Sequence, residues 1–225
     1  MVMTFFRRGE GDSGLDLITA RTVSMVSDAR HSFDMASTAL LSGADLDTVS
    51  EDVRQTDARI NAAEQELRGQ LVVHVSVQGS GDIGEVLGLI LLIKKIERIG
   101  DQNKNILYLA EDGADLSKAE DLDLLISYRR TISEMLGETA DVLAQANDDG
   151  AASLRERCKA LQDELTGHIR DLMHSEKPGY EVVPQAILFR YWKRIVANVA
   201  GVVTTATEPL QHHGYEDGGN VDLDD

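Results

Sequence analysis

The chain has 225 residues, of which 39 are acidic and 22 basic, giving a formal charge of -17. Such a surface repels a phosphate backbone, so the charge argues against a nucleic-acid-binding protein. The single cysteine, Cys158, excludes an intramolecular disulfide, and three prolines with 4% aromatic residues favour helices over a many-turned β sandwich. The composition therefore predicts an all-α protein.

The first half of the chain carries three helical patterns and two glycine-rich breaks. The opening segment, 1–14, is predicted to be a flexible N-terminus. Aliphatic residues at three- and four-residue spacing then predict three helices: 15–42, 46–77 and 83–110. Gly43 ends the first helix, and Asp82 in the break GSGD is a suitable cap for the third. These helices form a predicted first unit, 15–112.

One apolar run stands out in the third helix. Residues 86–93 read VLGLILLI, which is too short to cross a bilayer and is expected to be a buried helix segment. Neither a span of about 20 apolar residues nor a signal-peptide pattern is present. We therefore expect a soluble cytoplasmic protein.

The second half repeats the three-helix layout as a predicted unit at 118–208. Its predicted helices are 119–147, 151–175 and 183–207, separated by a turn NDDG at 147–150 and a break KPGY at 177–180. The tail, 209–225, is acidic and has no Lys or Arg, so it is predicted to be disordered.

The third and sixth predicted helices share a phrase about 96 residues apart. IERIGD at 96–101 aligns with WKRIVA at 192–197, keeping the Arg and Ile but replacing Glu97 by Lys193 and Asp101 by Ala197. Both phrases lie in the third helix of a triplet. This pattern indicates an internal repeat whose second copy has lost its carboxylates.

The carboxylates of the first copy form a candidate metal site. Glu97 and Asp101 are four residues apart and share one helix face. The second helix carries Asp57, Asn61 and Glu64 at matching spacing, so antiparallel packing of the two helices would bring both sets together. Hard oxygen donors of this kind suit Mg²⁺, Mn²⁺ or iron better than structural zinc.

A simpler interpretation is that these are solvated helix faces. Lys94 and Lys104 lie three residues outside Glu97 and Asp101 and could pair with them in ordinary surface ion pairs. No pair of Glu-x-x-His motifs is present, the nearest match being the single pair Asp171 and His174. No phosphate-binding loop or nucleophile motif is readable either, so nothing in the sequence supports an enzyme.

IERIGD at 96–101 resembles the ERIGD signature of the PhoU family of phosphate-uptake regulators. Asp82 resembles the aspartate that starts the third helix in that family, and RYWKRI at 190–195 is similar to its second-repeat signature. The set Asp57, Asn61 and Glu64 resembles its second-helix acidic motif. Together these matches span residues 15–208, and the resemblance implies two tandem three-helix bundles.

The resemblance also implies multinuclear metal binding in each bundle. Repeat one would use Asp57, Glu64, Glu97 and Asp101, with Asn61 where an aspartate is common, which predicts weaker binding of a divalent cation or iron. Repeat two has Lys193, Ala197, Cys158 and Leu161 near the corresponding positions, so no metal is expected there. We hypothesise that Lys193 supplies the missing positive charge, and unchanged stability and binding in Lys193→Met would contradict this.

The implied function is a cytoplasmic, non-catalytic regulator of phosphate uptake and phosphate signalling. Its implied partners are the ATPase subunit of a phosphate transporter and a sensor histidine kinase, and homodimers are common in the family. Three alternatives remain open: an accessory protein of a sodium-phosphate cotransporter or another ion transporter, a metal-dependent carboxylate-bundle enzyme, and a metal-free helical scaffold.

Overall fold

The computed structural model describes residues 13–43, 46–79, 81, 83–145 and 148–208. These residues form six helices and no strand: α1 (Ser13–Ser42), α2 (Leu46–Gln78), α3 (Ile83–Glu111), α4 (Leu122–Gln145), α5 (Asp148–Met173) and α6 (Gly179–Thr207). The predicted all-α, six-helix fold is confirmed. The predictions for residues 1–12, for the cap at Asp82 and for the tail 209–225 lie outside the described residues.

Four predicted helix starts were wrong by two to four residues. α1 begins at Ser13, so the last two residues of the predicted flexible N-terminus are helical. The predicted turn NDDG is already helical from Asp148, because two aspartates in a first turn favour a helix N-terminus. α6 starts at Gly179, where Pro178 accepts backbone hydrogen bonds from Glu181 and Val182. α4 instead starts three residues late, since 114–121 forms turns.

The six helices form two three-helix bundles, α1–α3 and α4–α6, which pack against each other. Within each bundle every helix contacts the other two, and across the bundles α3 packs on α6 and α1 packs on α4. The buried apolar residues of both bundles form one continuous core, with Phe33 of α1 and Trp192 of α6 among its largest members. The two repeats are therefore a single packed body.

Small residues set the closest helix approaches. Gly100 of α3 lies against Ile60 of α2, since a Cβ at position 100 would be 3.3 Å from Ile60 Cδ1. Gly201 of α6 lies under the stem of Lys95 on α3, because a Cβ at position 201 would be 2.9 Å from Lys95 Cδ. Burial at this crossing, with the nearby charge of Arg98, lowers the pKa of Lys95.

The end of α3 shows how the chain passes from one bundle to the next. Gly113 has a φ of 93°, and the N–H groups of Gly113 and Ala114 donate to the carbonyls of Ala110 and Leu109. This is the glycine-based helix end that satisfies the last carbonyls. Three residues later the N–H of Leu116 donates to the carbonyl of Leu40, which fixes the linker to the end of α1.

The apolar run VLGLILLI at 86–93 is only partly buried, which corrects the prediction. Leu89 and Leu92 are fully buried, whereas Leu87 and Leu91 are each 46% exposed. Among the described helices, none is long and apolar enough to cross a membrane.

Candidate functional site at the α2–α3 seam

The structure brings all five predicted metal-ligating residues to one seam between α2 and α3. We call this set the acidic seam, and it consists of Asp57, Asn61 and Glu64 on α2 and Glu97 and Asp101 on α3. The two helices run antiparallel, since Asp57 lies near Lys104 and Glu64 near Lys94. Asp57 and Glu64 are seven residues apart on α2, and Glu97 and Asp101 are four apart on α3, so the members on each helix share one face.

Lys104 occupies one end of the acidic seam. Its Nζ donates a 2.8 Å hydrogen bond to Asp57 Oδ2 and lies 3.6 Å from Asp101 Oδ1. Asn61 Nδ2 donates to the same Asp57 oxygen at 3.3 Å. The Asp57 side chain is 13% exposed and that of Asp101 43%, so Asp57 depends more on these contacts than Asp101 does.

Lys94 occupies the other end in the same way. Its Nζ lies 2.7 Å from Glu97 Oε2 and 3.6 Å from Glu64 Oε1, and Arg68 Nη2 lies 3.1 Å from that Glu64 oxygen. The side chains of Glu64 and Glu97 are 9% and 10% exposed. Two nearly buried carboxylates therefore have cationic partners supplied by the protein itself.

Both lysines are held in the charged form. The hydrogen bond to Glu97 raises the pKa of Lys94 by more than burial lowers it. Burial lowers the pKa of Lys104. The hydrogen bond to Asp57 and the charges of Asp57 and Asp101 together raise it by more, so the pKa of Lys104 lies above its usual value. An ammonium group thus lies between two carboxylates at each end of the seam.

The seam, as folded, does not fit a metal centre. Within the described residues, no three His, Cys, Asp or Glu side chains are grouped closely enough to hold a metal ion. Asp57 and Glu64 are seven residues apart, about 10 Å along the helix, so one ion cannot reach both. Metal binding at the acidic seam stays a prediction, and it would require Lys94 and Lys104 to leave their carboxylates.

The corresponding positions of the second bundle are mostly apolar. Cys158 and Leu161 belong to the buried core, and Ala197 is exposed. Burial raises the pKa of the Cys158 thiol from 9.0 to about 12, so the side chain is a neutral core group. Lys193 is half-buried and makes no ion pair within the described residues. Its proposed role as a substitute charge stays a prediction.

A polar cluster between the bundles was not predicted from the sequence. Arg30 of α1 donates to Ser133 of α4, and Ser133 donates to Asp34, which also accepts from Arg129. Gly137 leaves room for Arg30, because a Cβ there would lie 2.6 Å from its guanidinium. These residues are about 100 positions apart, so helix periodicity carries no signal for their contact.

A cleft of about 970 Å³ was also missed. Its walls are the linker 112–121, the last turns of α5 and the first turns of α6. His168 in one wall stacks on Phe189 with 5.2 Å between ring centroids, and its Nε2 lies 2.9 Å from the hydroxyl of Tyr128. The sequence gives no direct sign of this cleft, because three separate segments form it.

Two comparisons found matches: a family model matches most of the first bundle, and a solved structure has the same fold as the chain. Residues 22–110 match the family model described as PhoU domain. The crystal structure of PhoU from Pseudomonas aeruginosa superposes with a TM-score of 0.76 at 19% identity, covering 86% of this chain and 95% of that chain. At this identity the superposition establishes the fold alone. No curated protein matches the chain.

Proposed function

We propose that this protein regulates phosphate uptake and phosphate signalling, because residues 22–110 match the PhoU domain model and the chain has the fold of a PhoU structure. The family is regulatory and non-enzymatic, so the proposed action is contact with other proteins. The domain match is the observation that carries the proposal. The phrase IERIGD at 96–101 lies inside the matched residues and contributes Glu97 and Asp101 to the acidic seam.

The proposed partners are a phosphate transporter and a sensor histidine kinase in the cytoplasm. For the transporter we propose the ATPase subunit of a high-affinity importer. The six helices are long, 24 to 33 residues each, and present extended faces that suit protein contact. No catalytic step is needed for such a role, because occupying a partner surface is enough to restrain transport or signalling.

A deletion strain tests this function directly. In phosphate-replete medium we expect loss of the gene to raise phosphate uptake and to activate a phosphate-starvation reporter, and we expect the full-length gene to restore both. The importer and the sodium-phosphate cotransporter should each be deleted in that background. Loss of the uptake phenotype in only one of these strains identifies the transporter that is regulated.

Unchanged uptake together with an unchanged reporter would contradict the proposed function. A matched biochemical experiment uses the purified chain and the purified ATPase subunit in a binding titration. Saturable binding supports the importer as the partner. Binding to the cotransporter alone would replace the importer by the cotransporter within the same regulatory function.

A further inference from the structure

Three cations at the contact between the two bundles have no anionic partner. Lys95 and Arg98 lie on α3, and Arg194 lies on α6, the helix that packs against α3. The neighbouring Lys94 and Lys104 pair with carboxylates of the acidic seam. Within the described residues, the side chains of Lys95, Arg98 and Arg194 make no hydrogen bond or ion pair. Unpaired cations are unexpected in a chain with 39 acidic and 22 basic residues.

The surroundings of Lys95 show the missing anion most directly. Its stem lies on Gly201 of α6, and the side chain is partly buried. Burial and the charge of Arg98 both lower the pKa of Lys95, and no carboxylate of the described residues opposes them. For Lys94, by contrast, the nearby carboxylates raise the pKa above its usual value. A partly buried ammonium beside a second cation is destabilised unless an anion comes close to it.

The packing of α3 on α6 brings the three cations together. Contacts between side chains make α1 antiparallel to α2 and to α4, α2 antiparallel to α3, and α4 parallel to α6. The helices α3 and α6 are therefore antiparallel. Because Lys95 contacts Gly201, Arg98 lies level with residue 198 of α6, one helical turn from Arg194. We call Lys95, Arg98 and Arg194 the cationic strip.

We propose that the acidic segment that follows α6, residues 209–225, docks on the cationic strip of its own chain. The first argument is charge. The segment has no Lys or Arg and carries the carboxylates of Glu216, Asp217, Asp222, Asp224 and Asp225. The chain as a whole has a formal charge of -17, so most of its surface repels this segment. The cationic strip attracts it, because its three positive charges are not neutralised by other side chains.

The second argument is reach. The helix α6 ends at Thr207, which lies about 20 Å beyond Arg194 and about 9 Å beyond Gly201 along the helix. An extended chain advances about 3.3 Å per residue, so Glu216 can return about 30 Å from Thr207. The first carboxylate of the segment can therefore reach the whole strip. Attachment to α6 gives the segment an effective concentration on the order of millimolar, so several weak ion pairs are enough. This inference is independent of the proposed regulatory function.

Nitroxide labels on the full chain test the proposal by electron paramagnetic resonance. The labels are attached through Ala197→Cys, which is exposed beside Arg194, and Leu223→Cys in the acidic segment, while the buried Cys158 takes no label. An undocked segment should place the labels on the order of 25 Å apart, from about 16 Å of helix and about 20 Å of coil. We expect about 10 Å in about 0.05 M salt and the longer distance in about 0.5 M salt, where the charges are screened.

Two sets of substitutions remove the attraction from either side. Arg98→Gln/Arg194→Gln on the strip should give the longer distance already in low salt, because the segment loses two of its three cations. Asp222→Asn/Asp224→Asn/Asp225→Asn in the segment should do the same. Circular dichroism should show that all variants keep their helices.

Arg130→Gln/Lys159→Gln is the matched control, because it removes the same charge from exposed positions on α4 and α5 and should keep the short distance. Excess unlabelled chain should not change that distance either, since the contact lies within one chain. A long distance in the wild type at low salt, or a short one in Arg98→Gln/Arg194→Gln, would overturn the proposal. So would a short distance that unlabelled chain abolishes. An undocked segment with a poly-glutamate peptide that binds the wild type but not Arg98→Gln/Arg194→Gln would assign the strip to an acidic partner instead.

Discussion

Lys104 extends from α3 to α2 and places its ammonium nitrogen 2.8 Å from Oδ2 of Asp57. Sequence spacing suggested a pair within one helix, Lys104 with Asp101, and that distance is the longer one at 3.6 Å. Lys104 and Lys94 each lie between a carboxylate of α2 and one of α3, with the shorter contact across the helices for Lys104 and within α3 for Lys94. Helices α2 and α3 are joined by charge as well as by apolar packing.

Removing the Asp57 charge should destabilise the protein more than removing that of Asp101. Asp57→Asn takes the close partner from Lys104, which is 25% exposed, and should lower the free energy of unfolding by about 1 to 2 kcal/mol. Asp101→Asn should cost less than about 0.5 kcal/mol, because Asp101 is 43% exposed. Urea denaturation of both variants checks the order, and equal losses would contradict it.

Divalent cations should compete with the seam lysines. In Lys94→Met/Lys104→Met, the nearly buried carboxylates of Asp57, Glu64 and Glu97 lose their ammonium partners, so Mn²⁺ or Fe²⁺ should raise the melting temperature of this variant more than that of the wild type. Lys159→Met, on the exposed side of α5, is the control and should respond as the wild type does. Equal metal stabilisation of all three proteins would show that the lysines do not occupy the cation position.

At the Gly201–Lys95 crossing, the effect of Gly201→Ala on stability should change sign when Lys95 is replaced by alanine. Gly201→Ala places a methyl group 2.9 Å from Lys95 Cδ and should destabilise the protein by about 1 kcal/mol. In a Lys95→Ala background the clash is absent, and the same substitution should stabilise α6 by up to about 1 kcal/mol because alanine favours helices over glycine. Urea denaturation of the four proteins measures the coupling. Destabilisation of equal size in both backgrounds would contradict the close approach.

The buried thiol of Cys158 should make the protein less stable in alkali. Its pKa is about 12 in the folded chain against 9.0 in a free thiol, so its stabilising contribution is complete below pH 9 and is lost as the pH rises from 9 towards 12. Cys158→Ala removes this titration but leaves the alkaline titrations of the lysines and tyrosines. The stability difference between wild type and variant should therefore shrink by roughly 1 to 2 kcal/mol between about pH 8 and pH 10.5. A constant difference would contradict the burial of the thiol.

The helices themselves could be predicted because apolar periodicity and glycine breaks are local signals. The end of α1 at Ser42, just before Gly43, and the start of α2 at Leu46 needed only neighbouring residues. The starts of α5 and α6 were misplaced because aspartates and a proline favour turns and first helical turns alike.

The sequence predicted which residues meet at the candidate site, but not how their side chains are paired. Spacing placed Asp57, Glu64, Glu97 and Asp101 on facing helix sides, and the structure brings them to one seam. Spacing could not show that the ammonium groups of Lys94 and Lys104 lie between the carboxylates of the two helices, since that depends on side-chain geometry across α2 and α3. The exposure of Leu87 and Leu91 was missed for a similar reason, because composition does not reveal which side of a bundle is left uncovered.

The continuous core makes the two halves of the chain depend on each other. The second copy of the signature has Lys193 and Ala197 where the first has Glu97 and Asp101, so it lacks the carboxylates of the acidic seam. Its inward faces still exclude water, because α4 and α6 cover sides of α1 and α3 that would otherwise be open to water. The second half therefore contributes to the stability of the first without those carboxylates, since the first half cannot exclude water from these faces alone.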